Sequence, residues 1–434
     1  MIVQIAKEIE NTHGKAYYAG GYVRDFMLGE KGLNKDIDIE VFGLTTERLM
    51  EVLVNFGEPR QVGKAFPVIK LKGHHEWDFT IPSSPECSLA EACHRRDFMI
   101  NSMLMNIITR EIIDSYGGQE DLRKGVIYHT SEEVFAEDPL RAYRAIQFVG
   151  RFGFELHPDT AKLIQKTELG NIHSERIYEE LRKLLLLSPK PSLGLAAMRE
   201  TDMLQWHPLL EKLIGCEQSP INHPEGDVWI HTLMVVDEAA HLRSQSEDPE
   251  AYMFAALLHD LGKPGTTCVR DGKITAYGHD VEGEPLARAF MKEITANRKL
   301  IDKIALLVRE HMNPILLFKQ RDRVGDKAIR KLVNRVNLKE LLLLSEADYK
   351  GRDVPRDYEE IRGWFEHRLD AIGLSLNSQI EPLVRGRDLL EMGFSPGIAF
   401  TQILDEAFEY QMEGHTREEI MEKLTERYKN TDFF

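Results

Sequence analysis

Residues 34–40, NKDIDIE, decide how the first third of this chain is interpreted. If residues 36–40 form a β-strand, Asp36, Asp38 and Glu40 lie on one face and the two isoleucines lie on the other. Carboxylates at this spacing repel one another by roughly 2 to 3 kcal/mol per pair at a near-surface dielectric constant. A solvated edge strand would screen that repulsion, and a divalent cation would offset it. The strand pattern alone therefore permits either a surface face or a metal site.

A glycine pair precedes the acidic strand. Residues 19–29 read AGGYVRDFMLG, so Gly20 and Gly21 follow a hydrophobic strand and Arg24 lies one turn into the next helix. Glycines permit the tight turn that brings backbone N–H groups and a helix N-terminus toward a phosphate. A glycine pair alone is more often a simple turn. Together with Arg24 and the Asp-x-Asp that follows, it indicates a site for metal ions and a nucleoside triphosphate.

Two further segments carry polar residues suited to the same site. Two-metal phosphoryl transfer usually uses a third carboxylate from a neighbouring strand. The segment HEWDFTI (residues 75–81) offers Asp78, with Glu76 as the same-face alternative. In the segment HRRDFMINSM (residues 94–103), the residues that could line a nucleotide site are Arg95, Arg96, Asp97 and Asn101. Taken alone, this segment is better explained by surface ion pairs at a helix start, each worth about 0 to 1 kcal/mol.

The segment EDPLRAYRAIQF (residues 137–148) predicts a helix that begins near Pro139. Asp138, Arg141 and Arg144 recur at steps of three residues, so a hydrogen-bond acceptor stands near two donors. Cytosine and adenine both present an amine donor beside a ring-nitrogen acceptor, whereas uracil and guanine reverse that pattern. A rigid Asp and Arg pair could therefore favour cytosine and adenine over uracil and guanine by about 1 to 3 kcal/mol per contact. An intrahelical salt bridge explains the same spacing.

A second group of chemically suited residues lies in the helical part of the chain. An isolated helical histidine is more often a core or surface residue than a metal ligand. The aspartate in the apolar run AALLHDL is different, because a carboxylate buried there without a partner would cost several kcal/mol and a metal ion resolves that cost. Histidines and carboxylates on several helices around one pocket suit transition metals or Mg²⁺. The candidate ligands are His231, His259, Asp260, His279, His311 and Asp348.

Six segments, in this order, resemble the successive motifs of bacterial class II tRNA nucleotidyltransferases, the family of CCA-adding enzymes and bacterial poly(A) polymerases: GGYVRDFMLG, DIDI, RRDFMINSM, DSYGG, EDPLRAYRAIQF and SERIYEELRK. The resemblance covers about residues 15–185. It implies that Asp36 and Asp38 hold catalytic Mg²⁺ and that Arg24 contacts the triphosphate. It implies nucleotide binding by Arg95, Asp97 and Asn101, and an amino-acid template for the incoming base formed by Glu137, Asp138, Arg141 and Arg144. The assignment of Asp78 as the third carboxylate is based on its position in a strand, not on the resemblance.

The later order of H, then HD, then H, H and D resembles the HD phosphohydrolase superfamily over about residues 226–350. The resemblance implies a site for a divalent metal (Mg²⁺, Mn²⁺, Ni²⁺ or Co²⁺) that hydrolyses phosphomonoesters or 2′,3′-cyclic phosphates. Such hydrolysis would restore the free 3′-OH that nucleotide addition requires. The competing interpretation is a scaffold for tRNA that keeps the ligands without turnover.

In this family, the loop between the third-carboxylate strand and the RRD motif distinguishes enzymes that add the whole CCA end from enzymes that add only the two cytosines. Relatives that complete the whole CCA end carry a flexible polar loop there. Here the interval FTIPSSPECSLAEACH (residues 79–94) is short and contains no Lys or Arg. We therefore expect a CC-adding enzyme that extends the tRNA 3′ end from CTP. The alternatives are a full CCA-adding enzyme that also uses ATP, a poly(A) polymerase and, from another class, an HD phosphohydrolase or tRNA-binding module with a degenerate head.

The predicted fold class is α+β: a nucleotidyltransferase α/β head with a small mixed sheet, followed by an all-α neck, an HD domain and a helical tail. The expected boundaries are 1–130 for the head, 131–220 for the neck with its base template, 221–355 for the HD domain and 356–434 for the tail. In the tail, Gly393 and Gly397 could present backbone amides to RNA phosphate or simply turn between helices.

Composition restricts the partners and the compartment. The net charge of -16 argues against nonspecific coating of nucleic acid, although the basic run at residues 319–339 fits an RNA contact as well as a solvated helix face. The chain has no apolar run of about 18 residues and no secretory signal, so we expect a cytoplasmic protein without a membrane partner. The four cysteines lack metal-type spacing and indicate reduced thiols.

Overall fold

The computed structural model describes residues 1–29, 37–63, 67–82, 87–353, 357–394 and 397–428. The chain divides into two compact units, Met1–Trp206 and His207–Phe434. A seven-stranded sheet lies in the first unit, and the second unit is almost wholly helical, so the predicted α+β class is confirmed. Asp36, one of the two carboxylates predicted to hold Mg²⁺, lies outside the described residues.

The large sheet of the first unit is mixed. Its strands are β1 (Lys15–Ala19), β2 (Ile37–Phe42), β3 (Pro59–Val62), β4 (Val68–Leu71), β5 (His74–Thr80), β6 (Met103–Asn106) and β7 (Ile112–Asp114). Their order is β3-β4-β5-β2-β1-β6-β7. The β2 and β5 strands are parallel, and the other neighbours are antiparallel. A small parallel pair follows, formed by β8 (Val126–Ile127) and β9 (Glu155–Leu156).

The acidic strand β2 lies inside the sheet, between β5 and β1. The edge-strand explanation for its carboxylates is therefore wrong. Asp38 is exposed at the start of the strand, whereas Glu40 on the same face is buried. The Arg96 guanidinium donates a hydrogen bond to Glu40 across 3.0 Å and neutralises it. This face of β2 is thus open at one end, where Asp38 lies, and covered at the other.

Ten α-helices belong to the described part of the first unit. Three of them, Leu140–Phe152, Ser174–Leu187 and Pro191–Glu200, pack closely around glycines. A Cβ atom on Gly150 would lie 2.4 Å from Leu184 Cδ1, and one on Gly194 would lie 2.7 Å from the Ile146 carbonyl oxygen. The helices are α1 (Ile2–Asn11), α2 (Gly21–Met27), α3 (Thr46–Val54), α4 (Leu89–His94), α5 (Gly118–Lys124), α6 (Glu132–Ala136), α7 (Leu140–Phe152), α8 (Pro158–Lys166), α9 (Ser174–Leu187) and α10 (Pro191–Glu200), with 3-10 turns at Met99–Asn101 and Met203–Trp206.

The second unit surrounds a buried helix, Pro249–Leu258, whose residues from Ala251 onward are all buried. No helix in the described ranges combines the length and the apolar character needed to span a lipid bilayer. The helices of the second unit are α11 (Pro208–Glu211), α12 (Val228–Leu242), α13 (Pro249–Leu258), α14 (Lys263–Thr266), α15 (His279–Ile294), α16 (Arg298–Glu310), α17 (Asn313–Lys319), α18 (Asp326–Arg335), α19 (Leu338–Lys350), α20 (Glu359–Ala371), α21 (Gly386–Glu391), α22 (Ile398–Glu413) and α23 (Arg417–Tyr428), with a 3-10 turn at Arg243–Gln245.

A short hairpin interrupts the region predicted to be mostly helical. Strand β10 (Cys268–Arg270) pairs with β11 (Lys273–Thr275). The two turn residues, Asp271 and Gly272, have φ angles of +50° and +72°. Positive φ at both positions is the signature of a two-residue type I′ turn, for which Asp-Gly is a preferred pair. The sequence therefore contained a signal for this hairpin that the helical interpretation missed.

Part of the basic run at residues 319–339 is neutralised inside the second unit. Lys327 lies 2.8 Å from Glu413, and Lys331 lies 2.8 Å from Glu409, which join α18 to α22. The solvated-face interpretation is therefore incomplete, because these side chains hold two helices together. The side chains that remain exposed, without an ion pair in the described segments, are Lys319, Arg321 and Arg323. An RNA contact through them stays a prediction.

The two tail glycines lie in the connection between α21 and α22. Gly393 has a φ angle of +94°, which favours glycine, and Gly397 immediately precedes α22. Gly393 thus turns the chain after α21, and contact of either glycine with RNA phosphate stays a prediction.

Candidate functional site

The first candidate site lies on the sheet of the first unit, where two carboxylates face each other. Asp38 on β2 and Asp78 on β5 are direct partners in the parallel pair. Side chains of such partners point to the same face, and neighbouring strands lie only about 4.8 Å apart. The Lys70 ammonium lies 2.5 Å from Asp78 and offsets part of the negative charge. The pairing thus supports Asp78 over Glu76, whose carboxylate lies 3.2 Å from His74.

The glycine turn lies directly beside this acid pair. Gly20 joins β1 to α2 with a φ angle of +60°, a conformation that favours glycine. A Cβ atom there would lie 3.3 Å from Arg96 Nη1 and 3.8 Å from Asp38 Oδ2. The turn therefore leaves open the space next to Asp38, which suits close approach of a ligand. Gly21 begins α2.

Arg24 is buried away from the open face, with an exposed fraction of 2%. Its guanidinium donates to Asp25 and to Asn101 Oδ1, each across 2.7 Å. The rings of Phe148 and Phe152 cover it at 5.1 and 4.7 Å. Arg24 holds Asn101 in place, and its predicted contact with a triphosphate stays a prediction.

Asp97 and Arg144 bind each other in the described structure. The Arg144 Nε donates to Asp97 Oδ2 across 2.7 Å, and the Asn101 amide donates to Asp97 Oδ1 across 2.9 Å. Burial opposes ionisation of Asp97, but the charge of Arg144 and the Asn101 amide hold the pKa of that carboxyl below its usual range. These three side chains form one network with Arg24, in which Arg144 is half-buried and the others are buried. The nucleotide-binding roles predicted for them stay predictions.

The remaining template residues are arranged differently from the intrahelical salt bridge considered above. Asp138 accepts two hydrogen bonds from Arg176 on α9, at 3.2 and 2.7 Å. Arg141 Nη1 is buried and has no hydrogen-bond partner among the described residues. Sequence reasoning missed Arg176, although the motif SERIYEELRK contains it. Glu137 and Arg95 lie exposed at the C-terminal ends of α6 and α4.

The DSYGG segment holds the 3-10 turn that carries Asn101. The Asp114 carboxylate accepts hydrogen bonds from the backbone N–H groups of Gly117, Gly118 and Gln119, at 2.8 to 2.9 Å. A Cβ atom on Gly118 would lie 2.2 Å from the Met99 carbonyl oxygen. The glycine thus lets α5 pack directly on the 3-10 turn that carries Asn101.

The second candidate site gathers all six predicted histidines and aspartates in the core of the second unit. They form two groups that could each hold a metal ion, His231 with His259 and Asp348, and Asp260 with His279 and His311. The ligand atoms of the first group include His231 Nε2 and Asp348 Oδ1, 3.0 Å apart. Asp260 links the groups, because its Oδ2 lies 3.1 Å from His259 Nε2 and its Oδ1 lies 3.4 Å from His279 Nε2.

Backbone carbonyls set the tautomer of these histidines. The Nδ1 atoms of His259, His279 and His311 lie 2.7 to 2.9 Å from the carbonyl oxygens of Ala256, Ala276 and Val308. Since a carbonyl only accepts, each Nδ1 carries the proton and each Nε2 presents a lone pair. His231 follows the same rule, because its Nδ1 donates to the Gly351 carbonyl across 2.9 Å. All four rings thus have the tautomer that a metal ligand needs.

The donor set fits divalent metal ions. His279 Nε2 and His311 Nε2 lie 3.2 Å apart, and two lone pairs at that distance repel unless a cation lies between them. A tetrahedral ion with bonds of ~2.1 Å holds its ligands ~3.4 Å apart. Both carboxylate oxygens of Asp260 and the Nε2 of His259 are buried without a regular hydrogen bond in the part of the chain that is described. A metal ion would complete the coordination of these atoms.

Two cations keep the carboxylate ligands ionised. Burial disfavours the charge of Asp260, but the Lys263 ammonium, 2.6 Å away, holds the pKa of Asp260 well below its usual range. For Asp348, burial likewise opposes ionisation, but the Arg352 guanidinium at 3.0 Å holds the pKa of that carboxyl well below its usual range. A metal ligand must be deprotonated, so this charge state is the one that binds.

The loop before α12 supplies residues that sequence reasoning treated as a domain boundary. The Glu225 carboxylate lies 3.0 Å from His231 Nδ1 and 2.8 Å from His223 Nδ1. The amide oxygen of Gln218 accepts a hydrogen bond from Lys263 across 2.6 Å. Because His231 Nδ1 carries a proton, Glu225 orients this ligand and does not form a third metal group. The charged and imidazole side chains of the segment NHPEG were the available signal.

Replacement of Glu225 by alanine is expected to weaken metal binding at the second site by about 10- to 100-fold, because carboxylates that orient a ligating histidine contribute this much. The measurement is calorimetric titration of Mn²⁺ into the metal-free protein. Glu217→Ala, an exposed position in the same loop, is the matched control. Equal Mn²⁺ affinity of wild type and Glu225→Ala would contradict the orienting role.

Comparisons with known proteins match the regions of the chain that contain the two candidate sites. Family models match for the Poly A polymerase head domain at residues 16–128, the probable RNA and SrmB-binding site of polymerase A at 153–213, and the HD domain at 228–353. The chain is similar to the multifunctional CCA protein of Aromatoleum aromaticum, with 33% identity over 381 residues, 81% of this chain and 88% of that protein. The multifunctional CCA protein of Actinobacillus pleuropneumoniae serotype 5b is 31% identical, over 77% and 85% of the two chains.

Solved structures share the fold. The CCA-adding enzyme of Bacillus stearothermophilus in complex with CTP has a TM-score of 0.69 and 23% identity, covering 99% of this chain and 97% of that chain. The CCA-adding enzyme of Thermotoga maritima complexed with tRNA has a TM-score of 0.61 and 22% identity, covering 98% and 94%.

Proposed function

This chain belongs to the multifunctional CCA protein family of tRNA nucleotidyltransferases, and from that premise we propose that it adds two cytidines from CTP to the tRNA 3′ end and stops there. The connection between β5 and α4 carries this proposal. Strand β5 ends at Thr80 and α4 begins at Leu89, with Ser88 and Glu91 forming a capping box at its start. Residues 81–88 contain no Lys or Arg. A connection this short, without a basic side chain, differs from the flexible polar loop that is expected to switch the site from cytosine to adenine.

A second candidate is synthesis of the complete CCA end. The printed names of the relatives, multifunctional CCA proteins, favour it, as does the likeness to a CCA-adding enzyme solved with CTP and with ATP. In this case the short connection works without the added loop, and ATP is a second substrate.

For either product, we propose that the acid pair of the first unit holds Mg²⁺. Asp36 and Asp38 would bind it, with Asp78 as the third carboxylate, and the alignment of Asp38 with Asp78 supports this assignment. When bound, the metal activates the tRNA 3′-OH and stabilises charge on the transferring phosphoryl group. Gly20 leaves the space for the triphosphate, and Asp138 with Arg141 reads the base.

The test is extension of tRNA that lacks its CCA end, with CTP alone, ATP alone or both, read at single-nucleotide resolution. We expect CTP alone to add two residues and ATP to add none, in the presence or absence of CTP. Addition of a third residue only when both nucleotides are present would establish the full CCA-adding alternative. Long products from ATP alone would indicate a poly(A) polymerase. No extension by any nucleotide would contradict the proposal.

For the second unit, we propose metal-dependent hydrolysis of phosphomonoesters or 2′,3′-cyclic phosphates. The two ligand groups joined by Asp260 support a pair of divalent ions, which supply a metal-activated water when bound. Lys263 and Arg352 place two cations beside the carboxylate ligands and keep those ligands ionised. The scaffold alternative would keep the metal without turnover.

A further inference from the structure

A seam of charged residues joins α7 to α9. Asp138 at the start of α7 binds Arg176, and Arg144 lies 3.9 Å from Glu180, which in turn lies 2.8 Å from Lys183. Arg176, Glu180 and Lys183 follow one another at steps of four and three residues on α9. They therefore share one face of that helix, and this face meets the predicted base template.

Arg176 occupies most of the accepting capacity of Asp138. An ionised carboxylate offers about four acceptor positions. Two of them take the Arg176 hydrogen bonds, at 3.2 and 2.7 Å. Asp138 Oδ1 also accepts the backbone N–H of Leu140, across 3.2 Å. About one acceptor position on Asp138 is left for a ligand.

The same arrangement keeps one donor available. Arg141 lies three residues after Asp138 on the same helix, a spacing at which a carboxylate and a guanidinium commonly pair. They do not pair here, and Arg141 Nη1 is buried without a hydrogen-bond partner in the described segments. Because Arg176 binds the Asp138 carboxylate, one acceptor position of Asp138 and one donor of Arg141 are left beside each other for a ligand. That is the complement of the amine and ring nitrogen of cytosine, and it mismatches uracil.

We propose that Arg176 is the positioning residue that sets base selectivity, by holding Asp138 apart from Arg141. This inference rests on the proposed nucleotidyltransferase function and deepens it. Without Arg176, Asp138 is free to pair with Arg141, and both the acceptor and the donor are consumed. The site then loses its preference between CTP and UTP, while the metal and triphosphate contacts remain.

The test compares kcat/KM for CTP and for UTP in extension of tRNA that lacks CCA. Arg176→Ala is expected to reduce the CTP-to-UTP ratio by about 10- to 100-fold, the range of one to two lost base contacts. Most of the change should appear as a rise in KM for CTP and a gain in UTP use. Arg176→Lys keeps the charge without the paired geometry, so an intermediate ratio is expected. A purely structural loss would lower both rates together and leave the ratio unchanged.

The matched control is Arg182→Ala, because Arg182 lies on α9 and forms a surface pair with Glu179 at 3.6 Å. Its ratio should equal that of the wild type. If Arg176→Ala does not fold, Arg176→Lys provides the same comparison. A ratio unchanged in Arg176→Lys and Arg176→Ala, with wild type active, overturns the inference alone. A wild-type protein that extends tRNA with neither nucleotide overturns the proposed function and the inference with it.

Discussion

We expect the Asp38→Ala protein to add cytidine to tRNA about a thousandfold more slowly than wild type, or slower still, which corresponds to about 4 kcal/mol of lost transition-state stabilisation. Asp38 is the exposed carboxylate of β2, and its removal leaves the proposed Mg²⁺ with Asp36 and Asp78. Asp78 cannot compensate, because Lys70 already lies 2.5 Å from one of its oxygens. The measurement is single-turnover extension of tRNA lacking CCA across a range of Mg²⁺ concentrations.

Folding should not account for this loss, because substitution of an exposed residue away from a special structural feature usually changes the free energy of unfolding by less than about 0.5 kcal/mol. The matched control is Glu40→Gln on the same strand. The glutamine amide oxygen can still accept the hydrogen bond that Arg96 donates to Glu40 across 3.0 Å, so most of the activity should remain. An Asp38→Ala protein with nearly full activity, or a Glu40→Gln protein as inactive as Asp38→Ala, would contradict this division of roles.

Local sequence patterns predicted the strands and helices around the first site well, because those patterns act between neighbouring residues. The alternation in KDIDIE predicts β2, and Pro139 with the amphipathic spacing of residues 137–148 predicts α7. The position of β2 inside the sheet depends on pairing with β5 and β1, which are distant in sequence. The edge-strand alternative could therefore not be rejected before the sheet order was known.

The side-chain partners of the first site were harder to predict for the same reason. Arg24 is buried because Phe148 and Phe152, on a helix more than a hundred residues later, cover its guanidinium. Asp138 binds Arg176 although Arg141 is much closer along the chain. In each case a distant helix competes with a local partner, and helical spacing contains no information about which one wins.

At the second site, the ligands could be predicted from nearby sequence, whereas their arrangement could not. Each ligand stands in a recognisable helical segment, so the set of six could be predicted from residue type and order. Their division into two groups linked by Asp260 depends on how α12, α13, α15, α16 and α19 pack. Glu225 and His223 come from a loop that looks like a linker, because proline and glycine dominate its pattern.

Replacement of Asp260 is the second prediction with a large expected effect. Its two oxygens lie between the ligand groups, close to His259 and Lys263 on one side and to His279 on the other. Asp260→Asn is therefore expected to lower the bound metal content and to reduce hydrolysis of a 2′,3′-cyclic nucleotide by about a thousandfold or more. Extension of tRNA lacking CCA should continue, because the first unit supplies its own carboxylates. Metal content is measured by mass spectrometry after equilibration with Mn²⁺.

Asparagine is preferred to alanine because removing one partner of a buried ion pair costs about 3 to 5 kcal/mol, and Lys263 is itself buried. The isosteric amide keeps an acceptor for the Lys263 ammonium, so the fold survives while the bridging charge is lost. The matched control is Asp302→Asn, an exposed aspartate on α16 that pairs with Arg288 at the surface. Loss of hydrolysis in Asp260→Asn alone, with tRNA extension intact in both variants, identifies the buried cluster as the hydrolytic site. Wild-type protein that binds Mn²⁺ at this cluster but hydrolyses neither cyclic phosphates nor phosphomonoesters would instead establish the scaffold alternative.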